Sequence, residues 1–550
     1  MLRIKNGQVC DPTNKIHGEV RDLWIDDGKI VDPEDLKDKD LSSAEEINAE
    51  GCVVMAGGVE IHSHIAGSKV NIARNMCPED HYAHYRASTP CTRSGSGYTI
   101  PSTFKTGYEY ATLGYTSGFE AAVPPLVARH THEELEDTPI LDTGGYILMG
   151  NNYMIMKVLS DKDEKARRER LKDLVTWYLI TGKGYAIKAV NPGGVESWKW
   201  KMHDISLDTP VKPFGVTARE ITLGLAEAST DLKLPHGLHL HANQIGEPGN
   251  YRTTLETMKT LSGHNVHFTH IQYHSYGATK KGRIQSASRE IAEFINSHPE
   301  FTCDVGQIVF GPATTMTADS PMQYRLHKIT GNKWANTDVE LETGAGIVPI
   351  TYRPEVLVNA VQWCIGLELM LLIKNPWQIF MSTDHPNAGP FTDYPVIIRL
   401  LMDADYRNAV FETLHPDTRQ YTHLKDLKRE YTYEEIAIIT RSGTAKSLGL
   451  TQKGHLASGA DGDVAIYRVH PDKEKMFRYP TYVLKDGQIV VKDAEIVDSF
   501  RGRRFYVEPD AEHTLAPDLK EDFLQYYSVE LSSFPVQDAY ISRPEVIPCK

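Results

Sequence analysis

Three H-x-H pairs stand in this chain of 550 residues: His62/His64, His130/His132 and His239/His241. With 23 histidines in the chain, random placement gives about one such pair. In a strand, residues i and i+2 point to the same side. His62 and His64, in GGVEIHSHIAG (57–67), follow the apolar lead-in Val53-Val54-Met55. Both imidazoles therefore leave a strand end together, and two convergent neutral imidazoles are half of a zinc site.

The other half is sought at later strand ends. Apolar runs suited to strands are VVMAGGVEIHSH, TSGFEAAV (116–123), GYILMGNN (145–152), GYAIKAVNP (184–192), GLHLHANQIG (237–246), VHFTHIQYHSYG (266–277), TCDVGQIVFG (302–311) and WQIFMSTDHP (377–386). Helical stretches lie between them, at 163–182, 217–230, 250–262, 286–297 and 354–374. Alternating β and α with eight repeats predicts a (β/α)8 TIM-like barrel, whose chemistry sits at the C-terminal ends of the strands. The polar residues there are His62, His64, Glu120, Asn151, Asn152, Lys188, His241, Asn243, His270, His274, Asp384 and His385. The polar, glycine-rich stretch 69–110 has the length of a lid or substrate channel.

The chain ends share another grammar. LRIKNGQVCD and DLWIDDGKIVD near the start, and GADGDVAIYRV and YVLKDGQIVVKDAEIV near the end, read as short strands with Asn-Gly or Asp-Gly turns. They predict a small β-sandwich built from residues 1–50 and 446–505 around a barrel at 51–445. Residues 506–550 form an extension expected to contact another subunit.

Composition narrows the class. An apolar fraction of 41% and a charged fraction of 24% are those of a globular protein. A net charge of −14 argues against nucleic-acid or anionic-membrane partners. The seven cysteines form no C-x-x-C and read as reduced thiols of a cytoplasmic protein. The N-terminus has no signal-peptide core. The run Val356–Ile373 carries Asn359, Gln362 and Glu368, which favours a buried helix over a membrane span.

The pattern of HSH on strand one, lysine on strand four, histidines on strands five and six and aspartate on strand eight resembles the amidohydrolase superfamily. Within it, GGVEIHSHIAGSKVN, PSTFKTGYEYATLGYT, EAAVPPLVARHTHEE, STDHPNAGPFTDYP and YEEIAIITRSGTAKSLGLTQKGHLASGADGDVAIY are similar to the A subunits of formylmethanofuran dehydrogenases and of bacterial formyltransferase/hydrolase complexes. That likeness spans residues 1–505. It implies a two-zinc site. His62 and His64 would bind the first metal, a carboxylated Lys188 would bridge both, and His241 and His270 would bind the second. Asp384 would bind the first metal and act as the base. By the residues alone, His239 could stand for His241, and His267 or His274 for His270. The carbamate explains a lysine among metal ligands, since an ammonium has no lone pair to offer.

The implied reaction interconverts an N-formyl aminomethyl-furan carrier with formate and the free amine, inside a complex of several subunits. Zinc would make hydroxide available near neutral pH for attack on the formamide. Arg93, Lys105 and Tyr98 of the long loop are candidates to meet the carrier's glutamate chain and furan ring. Asn243 and His385 are candidate orienting or substrate groups, whereas His130 and His132 are expected at a helix start away from the metals. The alternatives are a cyclic amidohydrolase of the hydantoinase or dihydropyrimidinase type, and a non-catalytic scaffold subunit.

Overall fold

The structure is a computed structural model that describes residues 1–202, 205–337, 345–511 and 514–550. Its largest sheet has ten strands. Eight are parallel staves of a barrel: β1 (Gly58–Ser63), β2 (Tyr115–Val123), β3 (Asp142–Leu148), β4 (Ala186–Val190), β5 (Leu238–His241), β6 (Val266–Phe268), β7 (Phe301–Asp304) and β8 (Ile379–Phe380). The order β1 to β8 is the order in the chain, as right-handed βαβ crossovers require. Between β8 and β1, the His64 N–H donates to the His385 carbonyl at 2.7 Å. The Ser382 hydroxyl donates to the His62 carbonyl at 2.9 Å. Those bonds close the barrel on its C-terminal side, where chemistry is expected.

The helices fall where the sequence places them: Glu164–Thr181, Ala218–Asp231, Tyr251–Thr260, Ser288–Asn296 and Leu357–Leu372. Local chemistry starts them. The Asp163 carboxylate accepts the Ala166 N–H, and Thr217 and Glu220 form a reciprocal capping box. Leu357–Leu372 is the apolar run, and it is a core helix. Its Glu368 accepts the Ser288 hydroxyl at 2.6 Å. Among the described residues, no helix is long and apolar enough to cross a membrane.

Both chain ends join one nine-stranded sheet, with its own core of Ile4, Val9, Val54, Val464, Ile466 and Leu484. The two Asp-Gly turns occur as read. Asp27 and Gly28 have φ of 47° and 77°, Asp486 and Gly487 48° and 75°, so each hairpin turns with two left-handed residues. The Gly28 carbonyl accepts the Gly462 N–H at 2.7 Å, and the Gly462 carbonyl accepts that of Gly487 at 2.9 Å. The two turns are thereby locked together.

Three readings need correction. The run VVMAGGVEIHSH is two strands, not one. Cys52–Ala56 pairs with Gln8–Cys10 and Val464–Arg468 in the chain-end sheet, and only β1 enters the barrel. The crossing occurs at Gly57, where a Cβ would lie 2.3 Å from Thr116 Oγ1. Second, Arg504–Val507 leaves the chain-end sheet and lies parallel to β3 at Thr143 and Gly144. That edge is open because β4 pairs only with Tyr146–Leu148. Third, much of the C-terminal extension folds back on its own chain. Phe534 stacks on Trp177 at 5.1 Å, and Leu519, Phe523 and Val536 are buried in the barrel's core cluster. No pattern of residues announced the three-stranded sheet Gly311–Thr317, Ala335–Asn336 and Gly346–Tyr352. It follows β7 and supplies one wall of the cavity at the barrel mouth.

Candidate active site

Barrel register stacks the polar residues in layers. Lys188, His239 and His267 are neighbours across β4, β5 and β6, so all three point to the same side. His241 stands two residues further along β5, one layer nearer the mouth. His270 lies beyond the end of β6 and Asp384 beyond the end of β8. Both have positive φ, 35° and 48°, an uncommon backbone for residues with side chains and one that clusters at functional sites.

At the mouth these side chains converge in two groups. In the first, Asp384 Oδ1 is 2.9 Å from His62 Nε2 and 3.3 Å from His64 Nε2. In the second, one ligand-capable atom each from His241, His270 and His274 lie within 4.8 Å of one another. The His241 and His270 rings are 4.6 Å apart and His62 and His270 5.5 Å, so the groups adjoin. All these residues are buried, as is Lys188.

Carboxylates behind the first group set its tautomers. His62 Nδ1 is 3.0 Å from Asp304 Oδ2 and 3.2 Å from His239 Nε2. His64 Nδ1 is 3.2 Å from Glu120 Oε1. A carboxylate can only accept, so each Nδ1 carries the proton and each Nε2 offers its lone pair to the mouth. Glu120 is held in turn by Lys69 at 2.8 Å and by the Ile65 and Ala66 N–H groups.

Burial pulls the His62 imidazole down, but Asp304 and Asp384 outweigh it and raise it to about 9. Burial alone carries His270 and His274 well below their usual range. It pushes His241 down as well, against Asp319. The Lys188 amine is brought down to about 7 by burial, against the pull of Asp384 and Asp304. A lysine there is substantially unprotonated at neutral pH and nucleophilic toward carbon dioxide.

Several atoms of this constellation lack a hydrogen-bond partner: Lys188 Nζ, His241 Nε2, His270 Nδ1 and both nitrogens of His274. Buried polar atoms are nearly always satisfied. Neutral imidazoles, a neutral amine and a carboxylate with free lone pairs are a donor set that fits a metal pair. The site opens onto a cavity of about 720 Å³ reached by His241, His270 and Asp384, with Tyr273, Tyr352, Arg325 and Arg353 on its walls. The Tyr273 and Tyr352 hydroxyls are 2.9 Å apart, and Tyr352 donates to the Asn387 carbonyl at 3.0 Å.

The remaining candidates sort cleanly. His239 and His267 belong to the layer below. His239 is 2.9 Å from His236, and His267 is 3.1 Å from Asp304 and 2.9 Å from Thr302. His385 is buried next to Asp384 with its ring against Phe391, and its carbonyl serves barrel closure. Asn243 donates to the Asn191 side chain at 2.8 Å and to the Pro192 carbonyl, which braces the β4 and β5 loops. Three loop residues are not brought to the metal-type site. Arg93 is exposed over Phe104 and lines a different cavity beside the start of β3, with Tyr108, Pro139 and Phe500. Lys105 is buried against Glu109 at 2.8 Å, and Tyr98 donates to Asp393 at 2.7 Å. His130 and His132 lie on the helix Ala128–Glu136. Sequence reasoning missed Asp304, Tyr273, Tyr352, Arg325 and Arg353. Only Asp304 carried a signal, as the acid ending β7.

An eight-stranded parallel barrel with imidazoles and carboxylates gathered at its C-terminal mouth is the architecture of a barrel hydrolase. The chain belongs to the amidohydrolase family, whose model matches residues 45–491. It is 47% identical to protein FwdA of Methanocaldococcus jannaschii, over 99% of this chain and 98% of that one. It is 39% identical to the corresponding subunit of the formyltransferase/hydrolase complex Fhc of Methylorubrum extorquens, over 98% and 97%. The crystal structure of the FhcABCD complex from that organism, solved with methylofuran, superposes with a TM-score of 0.93 at 37% identity and full coverage of both chains.

Proposed function

We propose that this chain is the amidohydrolase subunit of a complex that interconverts an N-formyl aminomethyl-furan carrier with formate and the free amine. The observation that supports a metal-dependent amide chemistry is the set of buried, unpartnered donor atoms around Lys188. The carrier and the complex rest on likeness to relatives at 47% and 39% identity over nearly the whole chain. The expected setting is cytoplasmic.

His62, His64 and Asp384 would hold one zinc ion, His241 and His270 the other, and a carboxylated Lys188 would bridge them. Bound there, the pair would supply hydroxide near neutral pH and polarise the formyl oxygen. The Asp384 carboxylate, ionised beside His62 and His270, accepts the proton released on attack and returns it to the departing amine nitrogen. Asp304 and Glu120 keep both Nδ1 protons in place, so His62 and His64 do not turn during turnover. Tyr352 and Tyr273, tied to each other and to the Asn387 backbone, offer flat walls for a furan ring. Arg325 and Arg353 at the cavity mouth suit a carboxylate-bearing chain.

Substrate preference tests the reading. With native partner subunits present, kcat/KM for an N-formyl aminomethyl-furan should exceed that for dihydrouracil by about 10⁴ or more, the scale at which a site built for one polar group rejects another. Comparable turnover of dihydrouracil would instead favour a cyclic amidohydrolase.

A further inference from the structure

We propose that His274 is a third imidazole ligand of the second metal position, beside His241 and His270. This rests on the two-metal reading and deepens it. His274 is about as buried as any side chain in the molecule, and neither ring nitrogen has a hydrogen-bond partner. The other interior histidines beneath the site are engaged. His236 contacts the Ser447 carbonyl at 2.7 Å and His239 at 2.9 Å, and His267 is held at both nitrogens. A buried ring with two free nitrogens is the kind of exception that calls for a missing partner.

Geometry names the partner. The ligand-capable atoms of His241, His270 and His274 lie within 4.8 Å of one another, and donors about 2.1 Å from one zinc ion stand about 3.4 Å apart. A small contraction closes the set. The spacing i, i+4 across the single turn Ile271–His274 brings His270 and His274 side by side, ring centroids 5.3 Å apart. The turn is pinned. The Thr254 hydroxyl donates to the His274 carbonyl at 2.8 Å, and the Gln272 N–H to the Val305 carbonyl at 3.3 Å. His274 is thus held at the site by its backbone on both sides. With one oxygen from a Lys188 carbamate, the second ion would have four protein ligands.

The test is zinc retention by the native complex under a graded chelator, with anomalous diffraction at the zinc edge on the same preparation. Wild type should hold two zinc ions per chain, with a His274 nitrogen about 2.1 Å from one of them. His274→Ala should lose one ion at a chelator strength at least ten-fold lower while keeping the other. His274→Gln, closer in volume, should do the same and guards against a folding defect. Equal retention in both variants, or a His274 nitrogen beyond hydrogen-bond distance from either ion, overturns the assignment and leaves the two-metal reading intact. A wild-type complex with no zinc overturns both.

Discussion

At the scale of single residues, the acids behind the imidazoles matter as much as the imidazoles. Asp304 takes the His62 Nδ1 proton at 3.0 Å, contacts His267 at 3.1 Å and accepts the His270 backbone N–H at 2.7 Å. It therefore orients a candidate ligand of each metal. Burial pushes its carboxyl up, but His62 and His267 hold it far below the usual carboxylate range. Asp304→Asn should weaken zinc affinity about 10- to 100-fold, the cost of losing such a supporting acid. Chelator competition reads this directly, and unchanged affinity would remove Asp304 from any part in metal binding. His62, His64, Lys188, His241 and Asp384 were legible because strand periodicity placed them on one face and at one end. Asp304 was passed over because it stands alone at the end of its strand, without the paired His or Asp that marked the others. Arg93 was misplaced because nothing in a 40-residue loop's composition says which end of a barrel it folds toward.

At the scale of elements, helix Ala128–Glu136 shows why an H-x-H pair is not a metal signal by itself. On a helix the two rings diverge. His130 faces Asn71, at 2.8 Å, and His132 is buried with Nε2 3.0 Å from the Gly182 carbonyl. Burial holds His132 down, from 6.5 to about 4. Between those values the unfolded chain binds a proton that the folded chain refuses. The stability His132 confers is therefore complete above pH 6.5 and declines as pH falls toward 4. His132→Gln should be less stable than wild type at pH 7.5, with the gap narrowing by up to about 2 kcal/mol at pH 5. Urea unfolding at the two pH values measures it, and a gap that does not narrow contradicts a buried neutral imidazole. The barrel strands and their helices were legible from apolar runs of the right length. The three-stranded sheet at the mouth was not, because its short strands pair with each other rather than with a continuous apolar surface. The division of VVMAGGVEIHSH at Gly57 was hidden because both halves are equally apolar.

At the scale of the molecule, one buried ion network joins the parts. Asp142, at the start of β3, meets Lys453 at 2.5 Å, Lys485 at 2.9 Å and Arg503 at 3.0 Å. Those partners come from the chain-end sheet and the strand leading to the tail. Arg503 reaches on to Glu545 at 3.0 Å. Removing one member would strand a charge in the interior, so the network fixes how barrel, sheet and tail dock. The pairing of the two chain ends could be read from their matching turns. The return of the tail could not, since its aromatic residues announce burial but not against which surface.

The central claim is that this assembled chain breaks or makes a formamide bond through metals held by its buried donors. The most direct measurement is formate release from an N-formyl aminomethyl-furan by the native complex. It is made before metal stripping, after it, and after zinc is restored, with zinc counted each time. Metal-dependent chemistry predicts that activity and about two zinc ions per chain fall together and return together. Full formate release from a zinc-free complex would contradict it.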